Sequence, residues 1–436
     1  MKTRPVFPLL LSMGVPILLS MLIQSLYNII DSIWVTKLGT DALTAVSLAF
    51  PLQNAILSVG VGMGIGISAV ISLRLGAGDR EGANQTANVG LGLVGIHCLV
   101  FLTLGVFLTR PFLAMFTDDP KILQWACDYT YVIMCCSFGQ LIQIGLEKIF
   151  QAAGKMAITM CLMASGCIVN IILDPILIFG MFGLPAMGVR GAAIATVIGQ
   201  VVAMLLYVLV AVKGNIGITL HPRYLKFKAS LVKKIYSIGL PSTLMMAMPS
   251  LLTGALNGIL AAIDSVYVAV FGLYFKLQTF IYLPANGIIQ GLRPIVGYNY
   301  SAGEHKRVHQ AIRYSILLVG AIMLLGTLGA EVFPQAILRL FDADEALMSA
   351  SIPALRIIAI GFIPSAVSVV IAGTFEALGR GGSSLAISLL RQLVIVIPLG
   401  FLLSRFWGAA GIWIAFPIAE AVALFFSLGR LRTVQR

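Results

Sequence analysis

Charge is scarce in this chain. Asp, Glu, Lys and Arg together make up 11% of its 436 residues, less than half of what a soluble domain carries. A core large enough to hide the 59% that are hydrophobic would leave too little polar surface to cover it. A large soluble globular protein is thereby excluded. Residues of catalysis are also few. There are four His, no nucleophile–base constellation and no cofactor motif, so no enzyme activity, metal centre or cofactor is expected. His305 and His309 stand four apart in HKRVH, among basic neighbours and without a third ligand, as in a solvated loop. The glycine run VGVGMGIG (59–66) lacks the Lys-Ser/Thr ending of a phosphate loop. It lies in an apolar stretch, where small residues let helices approach closely. The cysteines, Cys98, Cys127, Cys135, Cys136, Cys161 and Cys167, all fall in apolar segments without metal-ligand spacing, and read as buried free thiols.

What the chain has instead is apolar runs long enough to cross a bilayer as helices, with a mean hydropathy of +0.99. They cover 8–36, 45–73, 87–109, 125–147, 156–180 and 188–212, then 233–262, 269–298, 311–331, 352–374, 384–405 and 408–430. The first resembles a signal peptide, but no small-x-small cleavage site follows it cleanly and the run continues to about residue 30. It is expected to be the first membrane span. The net charge of +12 reads as positively charged inner loops rather than nucleic-acid binding. Most Lys and Arg, including Lys2, Arg4, Arg74, Arg80, Arg391 and the basic connector 213–234, fall on one side of the alternating topology. That bias puts both termini in the cytoplasm of a multi-pass cell-membrane protein.

The connector KGNIGITLHPRYLKFKASLVKK (213–234) divides the chain into lobes 1–212 and 233–436, joined by a cytoplasmic linker over 213–232. The halves match at a shift of 225 residues: SMGVP (12–16) with SIGLP (237–241), FPLQ (50–53) with FKLQ (275–278), GAGDRE (76–81) with SAGEHK (301–306), FTDDP (116–120) with FDADE (341–345), and FQAAGK (150–155) with FEALGR (375–380). MGVRGAAIA (187–195) matches WGAAGIWIA (407–415) at 220. Several matches in register indicate a duplicated six-helix unit. Six is even, so the copies share one orientation. The expected fold is an all-α membrane protein, twelve transmembrane helices in two pseudo-symmetric six-helix bundles forming a parallel repeat, as in many secondary transporters.

YNIIDSIWVTKLG (27–39), LGAGDRE (75–81), NIILDPILIFG (170–180), GAAIAT (191–196) and GYNYSAG (297–303) resemble the multidrug and toxic compound extrusion (MATE) family over essentially the whole chain. A major-facilitator transporter also has parallel six-helix halves, but GDREGANQ lacks the later basic cluster of that family's loop between spans two and three. The resemblance implies a central cavity and export of organic cations or drugs, coupled to inward H+ or Na+, by a monomer in the lipid bilayer. A flippase for lipid-linked precursors from the wider superfamily is the alternative. It would need a strongly cationic cavity, where the spans here offer acids and few bases.

Asp31 and Asp174 lie in the outer parts of spans one and five, and Thr196 about two turns below the start of span six. Asn170 and Asp174 share a helical face, as do Asn28 and Asp31. An ionised carboxylate in hydrocarbon is costly, so such residues face a bundle interior or a water-filled cavity. A carboxyl there can alternate between holding H+ and holding Na+ with Asn and Thr oxygens. The resemblance assigns that coupling role to Asp31, Asn170, Asp174 and Thr196. H+ is favoured over Na+ because a Na+ cage needs several converging oxygen ligands, which a sequence does not show. One branch of the family carries an acid about eight residues after the proline matching Pro241. Here that stretch is PSTLMMAMPSLL, without an acid, which favours a cation site in the first lobe. Tyr27, Asn28, Gln53, Met245, Met246, Tyr274 and Gln278 are candidates for lining the cavity, with tyrosines suited to organic cations. Pro16 and Pro241 interrupt spans one and seven and are candidate hinges. Glu147 and Glu376 read as interfacial, and Lys276 as snorkelling or pairing with Asp264.

Overall fold

The computed structural model describes residues 2–214, 216–339, 341 and 345–435, and all regular structure among them is helical. Most of FDADE, one of the repeat matches, lies outside the described residues. Every expected span is a helix or a bent helix pair. The first half runs α1 (Val6–Thr36), α2 (Thr40–Gly76), α3 (Arg80–Leu113), α4 (Pro120–Cys135) with α5 (Phe138–Ala152), α6 (Met156–Phe179) and α7 (Gly188–Lys213). The second half runs α8 (Ala229–Ala261), α9 (Ser265–Ser301), α10 (His305–Val332), a short α11 (Pro334–Arg339), α12 (Glu345–Ala359) with α13 (Phe362–Ala377), α14 (Gly381–Leu389) continuing through a π-turn into α15 (Val396–Trp407), and α16 (Ala409–Gln435). Ten spans are continuous, and α4–α5 and α12–α13, bent by 44° and 51°, complete twelve. The chain is a multi-pass membrane protein. Its lipid-facing surface is visible on α3, where Leu99 and Phe107 are 64% and 75% exposed.

The repeat motifs are helix punctuation. Asp79 accepts a hydrogen bond from the Gly82 N–H at 2.8 Å and caps α3. Asp119 does the same for α4, accepting from Lys121 and Ile122. A side-chain oxygen there satisfies amides that have no partner within the helix. Gly78 and its match Gly303 take positive φ, 78° and 75°, a conformation that costs other residues energy.

Contacts divide the helices into two units. One is Leu19–Thr243; the other joins Met1–Leu18 to Leu244–Arg436. The division therefore differs from one drawn at the polar connector: the first half of α1 goes with the second-half helices, and the first half of α8 goes with the first-half helices. The changeovers fall two residues after Pro16 and two after Pro241, at matched positions of the repeat.

Glycine explains each exchange. In one unit α1 lies on α9 so closely that a methyl group on Gly291 would sit 2.7 Å from the Gly14 nitrogen, and one on Gly287 3.1 Å from the Leu18 Cα. In the other, α8 lies on α2: a methyl on Gly66 would sit 2.9 Å from the Gly239 nitrogen, and one on Gly62 2.5 Å from the Thr243 nitrogen. Gly14, Gly62 and Gly66 correspond to Gly239, Gly287 and Gly291 at the shift of 225. Backbone-to-backbone contact of this kind is how helices associate where lipid removes the hydrophobic drive.

The cysteines are unbonded, but not all are buried. Cys127 and Cys167 are buried, Cys98, Cys135 and Cys136 partly so, and Cys161 is exposed on α6. An apolar environment in a membrane helix includes lipid, which sequence cannot separate from protein interior.

Candidate functional site

The coupling candidates come together inside the unit Leu19–Thr243 because α6 and α7 nearly touch. A methyl on Gly166 would lie 2.7 Å from the Gly199 carbonyl oxygen, and one on Gly199 3.0 Å from the Asn170 Cβ. This approach brings Thr196 of α7 against Asn170 of α6. The Asn170 side-chain amide donates to Asp174 Oδ1 and to Thr196 Oγ1, each at 3.3 Å. Asp174 is fully buried, Asn170 is 2% exposed and Thr196 6%. From the C-terminal half of α1, Asp31 brings its carboxyl close enough to the Asp174 carboxyl for the two to interact electrostatically.

Two carboxyl groups this close repel one another when both are charged, and a low-dielectric surrounding strengthens the repulsion. One small cation between them relieves it. Three buried oxygens, Asp31 Oδ1, Asn170 Oδ1 and Asp174 Oδ2, have no hydrogen-bonding partner. Together with Thr196 Oγ1 they form an all-oxygen donor set of the kind hard cations take. A proton on either carboxyl would serve the same end.

Aromatic and amide groups border this pair. Tyr27, one turn before Asp31 on α1, lies near Asp31, Asp174 and Cys167. Gln53 of α2 donates to the Tyr129 hydroxyl at 3.0 Å, and buried Tyr129 is near Asp31, Tyr27 and Asp174. Tyr129 is a site residue the sequence reading did not pick out. Asn28, by contrast, is exposed. A cavity of about 600 Å³ opens beyond the site, lined by Leu38, Trp125, Asp128, Met187 and Arg190 among others. Val189 of its wall stands seven residues before Thr196 on α7, about 10 Å along the helix. Val35, between Asp31 and Leu38 in sequence, and Ala192 and Ala193, between Val189 and Thr196, are buried.

The remaining cavity candidates belong to the other unit. Tyr274 is 4% exposed and packed among Phe271, Phe362 and Phe416. Met245 accepts hydrogen bonds at sulfur from Ser384 and Ser388, at 3.5 and 3.0 Å. Met246 is 38% exposed, and Gln278 lies near the Tyr282 hydroxyl. Lys276 is exposed, while Asp264 caps α9 by accepting from the Val266 N–H at 2.9 Å.

This second unit holds a charge cluster that the sequence reading missed. Arg391, assigned from topology to the inner surface, lies within the span in the π-turn 390–394 and is 8% exposed. Its guanidinium makes a two-pronged contact with Glu420 of α16, Nε to Oε2 and Nη2 to Oε1, both at 2.8 Å. Tyr282 donates to Ser365 at 2.8 Å beside it. The signal was available: Arg391 and Glu420 are charged residues inside apolar runs. Glu376, expected at the interface, is likewise buried and pairs with Arg293 at 2.6 Å. Lys148 is buried against Glu147 and Gln151 at 3.3 and 3.0 Å.

Comparison with known proteins gives a consistent result. The MatE family model matches residues 16–176 and 241–402, one match in each half. A FAD transporter of Shewanella oneidensis is 27% identical over 96% of this chain and 92% of its own length. The multidrug export protein MepA of Staphylococcus haemolyticus is 24% identical over 97% of this chain and 92% of its own. A MATE crystal structure in complex with MaL6 superposes with a TM-score of 0.91 at 26% identity, covering 98% of this chain and 96% of that one.

Proposed function

The chain belongs to the MatE family of transporters, and from that premise we propose that it is a secondary antiporter exporting organic cations or drugs in exchange for inward H+ or Na+. The observation that carries this reading is the Asp31–Asp174 pair, held with Asn170 and Thr196 in the interior of one unit. A cation arriving from outside relieves the repulsion between the carboxyls and draws Asp31, on α1, toward α6. Below Asp31 the same helix changes unit, two residues past Pro16. A shift of α1 about that proline therefore connects occupancy of the pair to the other unit. Pro16 is the hinge in this reading, and Pro241 its counterpart in α8. The cavity beyond Leu38 is the aqueous approach for the ion, and the Val35–Ala192–Ala193 layer separates it from the pair between turnovers.

Both termini are cytoplasmic in this reading, and the working form is a monomer in the cell membrane. The test is efflux of a fluorescent organic cation from proteoliposomes under separately imposed pH and Na+ gradients. Efflux driven by one of the two gradients, and lost in Asp31→Asn, is expected. Export of FAD but not of the organic cation under the same gradients would replace the cargo class. Wild-type efflux by Asp31→Asn would remove the coupling site.

A further inference from the structure

Residues 219–226 of the connector between the halves are not a loose loop. They are strapped to α3 by hydrogen bonds from three side chains. Asn84 Oδ1 accepts from the Thr219 N–H at 2.8 Å. Asn88 donates to the Thr219 carbonyl at 2.9 Å and accepts from the His221 N–H at 3.0 Å. Gln85 donates to the Lys226 carbonyl at 3.2 Å. An asparagine that pairs with both groups of an extended backbone acts like the edge of a strand, so the segment has one register on the helix.

That register sets which side chains face out. Leu225 and Phe227 are 46% and 52% exposed, yet both rest on Gly92: a methyl there would lie 2.7 Å from the Phe227 ring and 3.0 Å from a Leu225 methyl. Gly92 begins a stripe on α3 that continues through Ile96 and Leu99 to Phe107, exposed by 48%, 64% and 75%. The stripe is bare apolar surface of a membrane span, so Phe227 and Leu225 sit where it meets the headgroups. Around them Arg223, Lys226, Lys228, Lys233 and Lys234 are all exposed. No Asp or Glu occurs between Asp174 and Asp264. Among the described residues no carboxylate forms an ion pair with these four lysines. The nearest acid in sequence on α3, Glu81, lies one turn before Gln85 and follows Arg80.

We propose that this strap is a binding site for anionic phospholipid headgroups: Phe227 and Leu225 enter the acyl boundary, and Arg223, Lys226 and Lys228 hold the phosphates. Clustered cations beside a span attract such lipids, and the attraction fades with added salt. The site is independent of what is exported and of the driving ion.

The test uses the full chain in nanodiscs of equal parts phosphatidylglycerol and phosphatidylcholine, with retained lipid read by native mass spectrometry. Wild type is expected to retain phosphatidylglycerol selectively. The triple variant Arg223→Gln/Lys226→Gln/Lys228→Gln should lose that preference by roughly a hundredfold, about fivefold per cation. Asn84→Ala/Asn88→Ala, which keeps every charge but releases the strap, should also weaken it. Lys306→Gln/Arg313→Gln/Arg380→Gln, an equal loss of exposed charge elsewhere, should leave it intact. An equal effect from that control, or no effect from either strap variant, overturns the proposal. Displacement of the lipid by millimolar inorganic phosphate would instead mark a site for free anions and would also overturn it. Because lipid rather than transport is read, failure here is separable from failure of the antiport reading.

Discussion

Replacing Glu420 by Gln should destabilise the protein while leaving the ion dependence of efflux intact, and replacing Asp31 by Asn should do the reverse. Glu420 and Arg391 form a two-pronged pair with both bonds at 2.8 Å, and their side chains are 13% and 8% exposed. Removing one partner leaves the other charge buried without compensation, which costs about 3–5 kcal/mol. For a unit of some 200 residues each kcal/mol lowers the melting temperature by about 2–4 °C, so a fall on the order of 10 °C is expected. Taking out both charges, as Arg391→Met/Glu420→Leu, removes that penalty and should restore stability to within about 1 kcal/mol of wild type or better. Asp31→Asn is different in kind. It strands no cation and relieves the repulsion at Asp174, so folding should be unharmed. The assays are thermal unfolding in detergent, and efflux from proteoliposomes across a series of pH and Na+ gradients. If Glu420→Gln were as stable as wild type and its efflux no longer answered to the gradient, the pair would be a second coupling site. The assignment of its charge to structure would then be wrong.

Tyr129→Phe keeps the ring and deletes the hydroxyl that Gln53 donates to. Efflux should fall several-fold through looser positioning of the pair, with stability lowered by only about 1 kcal/mol, as parallel melting and transport curves would reveal. Thr196→Ala removes one neutral oxygen from the donor set. It should weaken Na+-driven efflux at least tenfold and spare H+-driven efflux, so the ratio of the two rates identifies the coupling ion. Gly62→Ala and Gly287→Ala place methyl groups against the Thr243 and Leu18 backbones. Each should cost about 1–3 kcal/mol by overpacking, similar at the two matched sites, whereas Gly95→Ala, with open space around it, should be neutral on the same unfolding assay.

Much of this architecture could be read in the residues because lipid imposes simple rules. A span must be long and apolar, so the helices were countable, and the four-residue spacing of Asn170 and Asp174 put them on one face before any coordinates. What sequence could not give was which apolar surface meets lipid and which meets protein. That is why Cys161 was expected inside, and why Tyr274, expected at a cavity, is packed among aromatic rings. Arg391 was misplaced for another reason. Topology counting assigns a basic residue near a span end to the surface, and only the partner Glu420, 29 residues later, shows that the charge is neutralised within the unit. The exchange of helix halves at Leu18 and Thr243 was unreadable as well, although the prolines and glycines that permit it were visible in the repeat.

Those exchanges show what duplication kept and what it changed. The matched glycines make equivalent close crossings in both units, so the backbone scaffold repeats. The polar chemistry repeats only in part: buried Gln151, bonded to Lys148, matches buried Glu376, paired with Arg293, but the other buried charges have no such counterpart. Asp31, Asn170, Asp174 and Thr196 correspond to Leu256, Ile395, Leu399 and Phe416, while Arg391 and Glu420 correspond to Gly166 and Gln200. Each unit thus holds a buried polar group exactly where its twin is apolar or neutral. In one, an uncompensated carboxyl pair calls for a mobile cation; in the other, a carboxylate already has a covalently tethered one. Burying the second kind of pair costs no ion from solution, so its state does not change as ions come and go. In the antiport reading proposed above, the first pair is the one whose charge answers to an ion gradient, and the second is the one whose charge does not.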